Sequence, residues 1–155
     1  MTEIRHHPCA ACPYRCDVAS GVWAGEEYDK LTRYDAPTYA QPLASFSCHA
    51  TPEKICHGWA VVHTSRGQEY DLLALRLVQR GNRLDIPVAA VPLFSSGEEA
   101  AAHGKRGLQN PCSAAKETMK RLERKHSRLR TERHQKLKAE AASLTAEAAK
   151  GETLC

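Results

Sequence analysis

The sequence predicts a mainly α protein: a small irregular domain with little β structure, followed by a long C-terminal helix. Three observations carry that expectation. The segment from Ser113 to Lys150 contains no Gly or Pro and is built mostly of Ala, Lys, Arg, Glu and Leu, which are strong helix formers. Pro8, Pro13 and Gly21 punctuate the first 22 residues and leave little room there for regular structure. Five of the seven cysteines fall within the first 56 residues, three of them between Cys9 and Cys16. The expected division is therefore a Cys-rich domain over 1–93, a linker with a short helix over 94–109, a long basic helix over 110–150 and a disordered tail over 151–155.

Along the chain, residues 1–22 read as a loop. Gly25 to Tyr34 reads as a short helix with Tyr28 and Leu31 on one face, stopped by Asp35-Ala-Pro. Leu43 to Cys48 reads as a short extended segment, and Cys56 to His63, with Trp59, Val61 and Val62, as a buried helical turn or strand. Glu69 to Arg80 carries a broad apolar face and ends before Gly81, as a helix should. Asn82 to Phe94 holds two prolines and reads as an extended connector. Ser95 to Gly104 suits a short helix capped by Ser95 or Ser96. Asn110 and Pro111 then fit the cap and the first position of the long helix. Its leucines Leu122, Leu129, Leu137 and Leu144 recur at spacings of seven, eight and seven. That is close to the 11-residue period of a nearly straight helix, but it is a thin seam for a coiled coil.

Hydrophobic residues make up 42% of the chain and charged residues 26%, enough for a modest core. Net charge is +4, and it is unevenly placed. Residues 1–112 hold eleven Lys/Arg against twelve Asp/Glu; residues 113–150 hold eleven against five. The front is close to neutral and the back is basic. No apolar run follows Arg5, and the most apolar stretch, Ile86 to Phe94, is short and broken by Pro87 and Pro92. The expectation is a cytoplasmic protein with neither signal peptide nor membrane association.

In a reducing compartment the cysteines are read as ligands before they are read as disulfides. Cys9 and Cys12 form a Cys-x-x-Cys, which puts two sulfurs on one side of a tight turn at the bite of a tetrahedral metal. Cys48 and Cys56 return later to close the set. The candidate metal ligands are Cys9, Cys12, Cys48 and Cys56, with Cys16, His49 and His57 in reserve. Thiolates suit Zn2+ and iron–sulfur clusters alike, and both remain open. A second chemistry is a thiol or iron–sulfur redox sensor or enzyme using Cys9, Cys12 and Cys16. Cys12-Pro-Tyr-Arg-Cys16 looks like a glutaredoxin motif with one residue inserted, but its flanks lack the strand-then-helix pattern of that fold. No Ser-His-Asp order, Walker loop or carboxylate pair points to a hydrolase, and no catalytic residue is assigned.

The motifs Cys9-Ala-Ala-Cys-Pro-Tyr-Arg, Ser20-Gly-Val-Trp, Glu27-Tyr-Asp-Lys-Leu, Phe46-Ser-Cys-His, Cys56-His-Gly-Trp and Leu73-Ala-Leu-Arg span about half the chain. Together they resemble a family of small cysteine-rich proteins of unknown function from actinobacteria and their phages. The resemblance implies an intracellular protein with a Cys-ligated metal, and it implies no activity. Gly21-Val-Trp-Ala-Gly also looks like the turn of WhiB-like iron–sulfur regulators. In those proteins all four cysteines precede the turn, whereas here Cys48 and Cys56 follow it.

Lys116 to Lys138 holds ten Lys/Arg and three acidic residues, a density that can neutralise phosphates and release counterions. The candidate nucleic-acid contacts are Lys120, Arg121, Arg124, Lys125, Arg128, Arg130, Arg133 and Lys136. No aromatic lies on this segment, so it offers no platform for base stacking. The expected function is a metal-binding accessory or regulatory protein that associates with DNA, RNA or a nucleoprotein complex. A protein–protein adaptor, docking the long helix on a host protein, is the alternative of another class.

Overall fold

The computed structural model of the protein describes residues 3–67, 86 and 88–151, and it is mainly α as the sequence predicts. In chain order the described elements are α1 (Gly25–Tyr34), a 3-10 turn (Thr38–Ala40), β1 (Ser47–Cys48), β2 (Thr51–Ile55), α2 (His57–Ser65), α3 (Gly97–Lys105) and α4 (Ser113–Gly151). Two compact units result, residues 1–119 and residues 120–155. None of the described helices is long and apolar enough to cross a membrane.

The first unit is built on α1 and α3. Helix α1 presents Tyr28, Leu31 and Tyr34 to the core, at three-residue spacing, as its sequence predicts. Helix α3 answers with the small residues Gly97, Ala100, Ala101 and Gly104, all buried. A Cβ built on Gly104 would overlap the Tyr28 ring, so glycine is what lets the tyrosine lie against the helix backbone. Ser96 caps α3, its hydroxyl accepting from the Glu99 amide at 3.1 Å. Glu99 reaches back to the Ser95 amide (3.0 Å) and hydroxyl. Of the two serines offered by the sequence, Ser96 is therefore the cap and Ser95 the staple before it.

β1 and β2 form a short antiparallel hairpin with a register irregularity between Ser47 and Cys48. The N-terminal segment adds a parallel bridge from Ile4 to Ile55. Residues 14–16 run against 92–94, the Phe94 amide donating to the Tyr14 carbonyl and the Cys16 amide to that of Pro92. These fragments enclose a core of Tyr14, Leu31, Tyr34, Phe46, Ile55, Trp59 and Val62. Phe46 stacks on Trp59 at 6.0 Å, and Tyr34 meets Phe46 edge-on at 4.9 Å. The geometry is the one in which aromatic pairs add to plain burial.

The structure decides between two pairs of alternatives and changes one expectation. The segment from Leu43 is irregular until Ser47, so β1 is only two residues long. The segment after Cys56 resolves to a helix rather than a strand. Helix α4 starts at Ser113, because the first bond of its ladder runs from the Lys116 amide to the Cys112 carbonyl. That puts Cys112 in the cap position and leaves Asn110 and Pro111 before the helix. The helix expected over Glu69 to Arg80 lies outside the described residues.

Candidate metal centre

Three separate pieces of chain each bring cysteine to one place. Cys9 and Cys12 sit in a tight turn closed by the Cys12 amide on the Cys9 carbonyl at 3.0 Å. Cys48 ends β1. Cys56 stands at the cap position of α2, its carbonyl accepting from the Ala60 amide at 3.1 Å while its own amide donates to Phe46. All four side chains are buried.

The cysteines interact in neighbouring pairs, Cys48 with Cys9, Cys9 with Cys12 and Cys12 with Cys56. The Cys12 and Cys56 Sγ atoms lie 3.8 Å apart. The Cys9 thiol is pushed far below the ordinary thiol range by hydrogen bonds from Cys12 and then Cys48. Cys12 is pushed up by its contact with Cys56, and Cys48 by its contact with Cys9. Among the described residues, no three or more Cys, His, Asp or Glu side chains are grouped so as to hold a metal ion as they stand. The four sulfurs are linked through one another and not through a common centre.

Gly58 is what lets α2 come this close. A Cβ there would stand 2.6 Å from Cys12 Sγ and 3.0 Å from the Tyr14 Cβ. In Cys56-His-Gly the glycine thus admits the Cys12 sulfur. The sequence singled out Cys56 and His57 and left Gly58 unread, since a lone glycine gives no sign of what approaches it.

The reserves go elsewhere. Cys16 is exposed, and burial together with the charges of Asp17 and Glu99 raises its pKa. His49 Nε2 lies 2.9 Å from Glu27 Oε2, and its ring packs 4.3 Å from that of Trp23. His57 Nδ1 donates to the Arg5 carbonyl at 2.7 Å, which leaves Nε2 buried without a hydrogen-bond partner. Burial lowers the pKa of this imidazole. Tyr14 Oη and Trp59 Nε1 are likewise buried without partners, and burial pushes the Tyr14 phenol well up.

Beside the cysteines, Asp35 gathers three elements. His63 Nε2 lies 2.9 Å from Oδ1, Arg66 approaches the same oxygen at 3.4 Å, and the Gly97 amide donates to Oδ2 at 2.7 Å. Arg66 also donates to His63 Nδ1 at 2.7 Å. The carboxylate thereby pins the end of α1 to the end of α2 and the start of α3. The sequence offered no sign of this, because Asp35 reads there only as a helix stop.

On α4, Lys120, Arg121, Arg124, Arg128, Arg130, Arg133 and Lys136 are exposed, while Lys125 is half-buried. Arg128 pairs with Glu132 at 3.4 Å and Lys136 with Glu140 at 3.8 Å, exposed pairs that hold little energy.

A small mainly α fold with a buried cluster of four cysteines and an exposed basic helix is the class these features define. The chain belongs to a family of unknown function (DUF6283), whose model matches residues 4–143. No curated protein and no solved structure matches it.

Proposed function

We propose that Cys9, Cys12, Cys48 and Cys56 bind a single tetrahedral Zn2+, and that the protein is a metal-stabilised accessory or regulatory factor that associates with nucleic acid through α4. The observation that carries the metal reading is the meeting of four buried cysteines from three separate chain segments. Buried thiols that serve only as apolar packing have no reason to converge in this way. The separation of one pair suits two thiolates on one tetrahedral ion. Thiolates at about 2.3 Å from a tetrahedral ion stand about 3.8 Å apart, the separation found between Cys12 and Cys56.

A bound zinc would supply charge compensation for the thiolates and a cross-link among the N-terminal loop, the hairpin and α2. The chain's own part is to present the sulfurs without a clash, through Gly58, and to exclude water around them. The excess of Lys and Arg on an exposed helix supports the nucleic-acid part of the reading.

The test is elemental analysis and an absorption spectrum of anaerobically purified protein. The expected result is colourless protein with one zinc per chain and four thiols shielded from alkylation. Brown protein with iron and sulfide would replace zinc by a cluster. Metal-free protein with every thiol reactive would end the metal reading.

A further inference from the structure

From Lys120 onward, α4 carries its charge unevenly around its axis. At 3.6 residues per turn, Lys120, Arg124, Arg128 and Lys138 fall within an arc of about 100°, interleaved with the neutral side chains Ser127, Thr131 and Gln135. All seven are exposed. The carboxylates of this part of the helix lie off that arc. Glu123 flanks one edge, Glu132 flanks the other and pairs there with Arg128 at 3.4 Å, and Glu140 is on the opposite side with Leu122 and Leu129. Leu122 and Leu129 are half-buried. Arg133 and Lys136 share their side of the helix with Glu140. The stripe begins beyond Glu117, and it runs for about 27 Å at 1.5 Å per residue.

We infer that this carboxylate-free stripe is a track for the phosphodiester backbone of a nucleic-acid duplex, read without regard to base sequence. The inference rests on the nucleic-acid part of the function proposed above and narrows it from eight basic residues to one face. Its chemistry is specific to phosphates. Lys120, Arg124 and Arg128, at four-residue intervals, place cations about 6 Å apart along a rigid rod, with Lys138 about 15 Å beyond, and the neutral residues between them add hydrogen-bonding groups of the kind that contact phosphate oxygens. A single strand would gain little, because no Phe, Tyr or Trp lies on the helix to stack a base. An acidic protein partner would be served as well by Arg133 and Lys136. A polyanion of regular pitch favours the face from which carboxylates are absent.

The test uses the full-length protein and labelled random-sequence duplexes of about 20 base pairs, DNA in one arm and RNA in the other, with affinity followed by anisotropy as salt is raised. About four phosphate contacts predict a log–log salt slope near −3.6 on a DNA duplex. K120Q/R124Q is expected to make that slope shallower by about 2, whereas R133Q/K136Q, removing the same charge from the other side, makes it shallower by less than 1. Circular dichroism confirms that both variants keep their helix. Equal losses in the two variants would overturn the assignment of the stripe while leaving nucleic-acid binding in place. Equal affinity for a single strand of the same length would overturn the duplex track. Wild-type protein that binds neither duplex at low salt would remove both the stripe and the nucleic-acid reading, whatever its zinc content.

Discussion

Gly58 and Asp35 show how single residues hold the candidate centre together. Replacing Gly58 by Ala puts a methyl group 2.6 Å from Cys12 Sγ, with the Tyr14 Cβ behind it at 3.0 Å. Neither neighbour is the free end of a flexible chain, so either α2 or the Cys9–Cys12 turn must shift. Overpacking of this kind costs about 1–3 kcal/mol, and G58A should lose that much in urea unfolding while releasing zinc to a chelator faster than wild type. Wild-type stability and metal retention in G58A would mean that the close approach of α2 is unimportant. Asp35 makes a different prediction. Burial alone would raise its pKa, but the hydrogen bond from His63, the Gly97 amide and Arg66 outweigh it and leave the carboxyl below its usual range. A folded pKa below the unfolded one gives stability that is present above about pH 4 and is lost as pH falls below it. D35N should therefore be destabilised by about 2 kcal/mol at pH 7, and its gap from wild type should shrink below pH 4. A gap that is the same at pH 3 and pH 7 would show that the ion pair is not its source.

The elements that were legible in the sequence are those whose local signals agree with their packing. Helix α1 has three-residue spacing of Tyr28, Leu31 and Tyr34 with a stop at Asp35, and its boundaries follow. Helix α3 has a serine cap and small residues, and only the choice between Ser95 and Ser96 waited for the structure. S96A should cost about 1 kcal/mol through loss of the Glu99 amide's partner, readable as a fall in the urea midpoint. S95A should cost less, and the reverse order would return the cap to Ser95. Strand β2 was invisible because Thr51-Pro-Glu-Lys-Ile has no apolar alternation. It pairs because Cys48, the turn and Ile55 are fixed by their tertiary partners. The four candidate ligands were legible because Cys-x-x-Cys is a spacing with a geometric meaning. The Asp35–His63–Arg66 cluster was not, because its members are 28 and 31 positions apart and no local pattern announces them.

At the scale of the molecule, the candidate centre and the long helix answer to different forces. The contacts among Cys9, Cys12, Cys48 and Cys56 close long loops across residues 1–119, a unit in which the described residues hold three short helices and a two-stranded hairpin. A metal bound only by the folded state contributes its binding energy directly to folding. Helix α4 needs no such help to be locally favourable. Its 39 residues lack proline, end on a single glycine at Gly151, and exceed the length at which isolated helices become marginal. Removing the metal with a strong chelator should therefore split the two signals. The near-ultraviolet dichroism of Trp23 and Trp59 should collapse, because both rings pack within the first unit, Trp59 on Phe46 and Trp23 on His49. The far-ultraviolet helical signal should fall only in part, keeping the share that α4 contributes, and re-addition of zinc should restore both. If both signals vanish together, the helix depends on the folded unit and α4 is not self-sustaining. If neither changes although the metal has left, the aromatic core holds the unit alone, and the cysteines are ligands without being the fold's fastening.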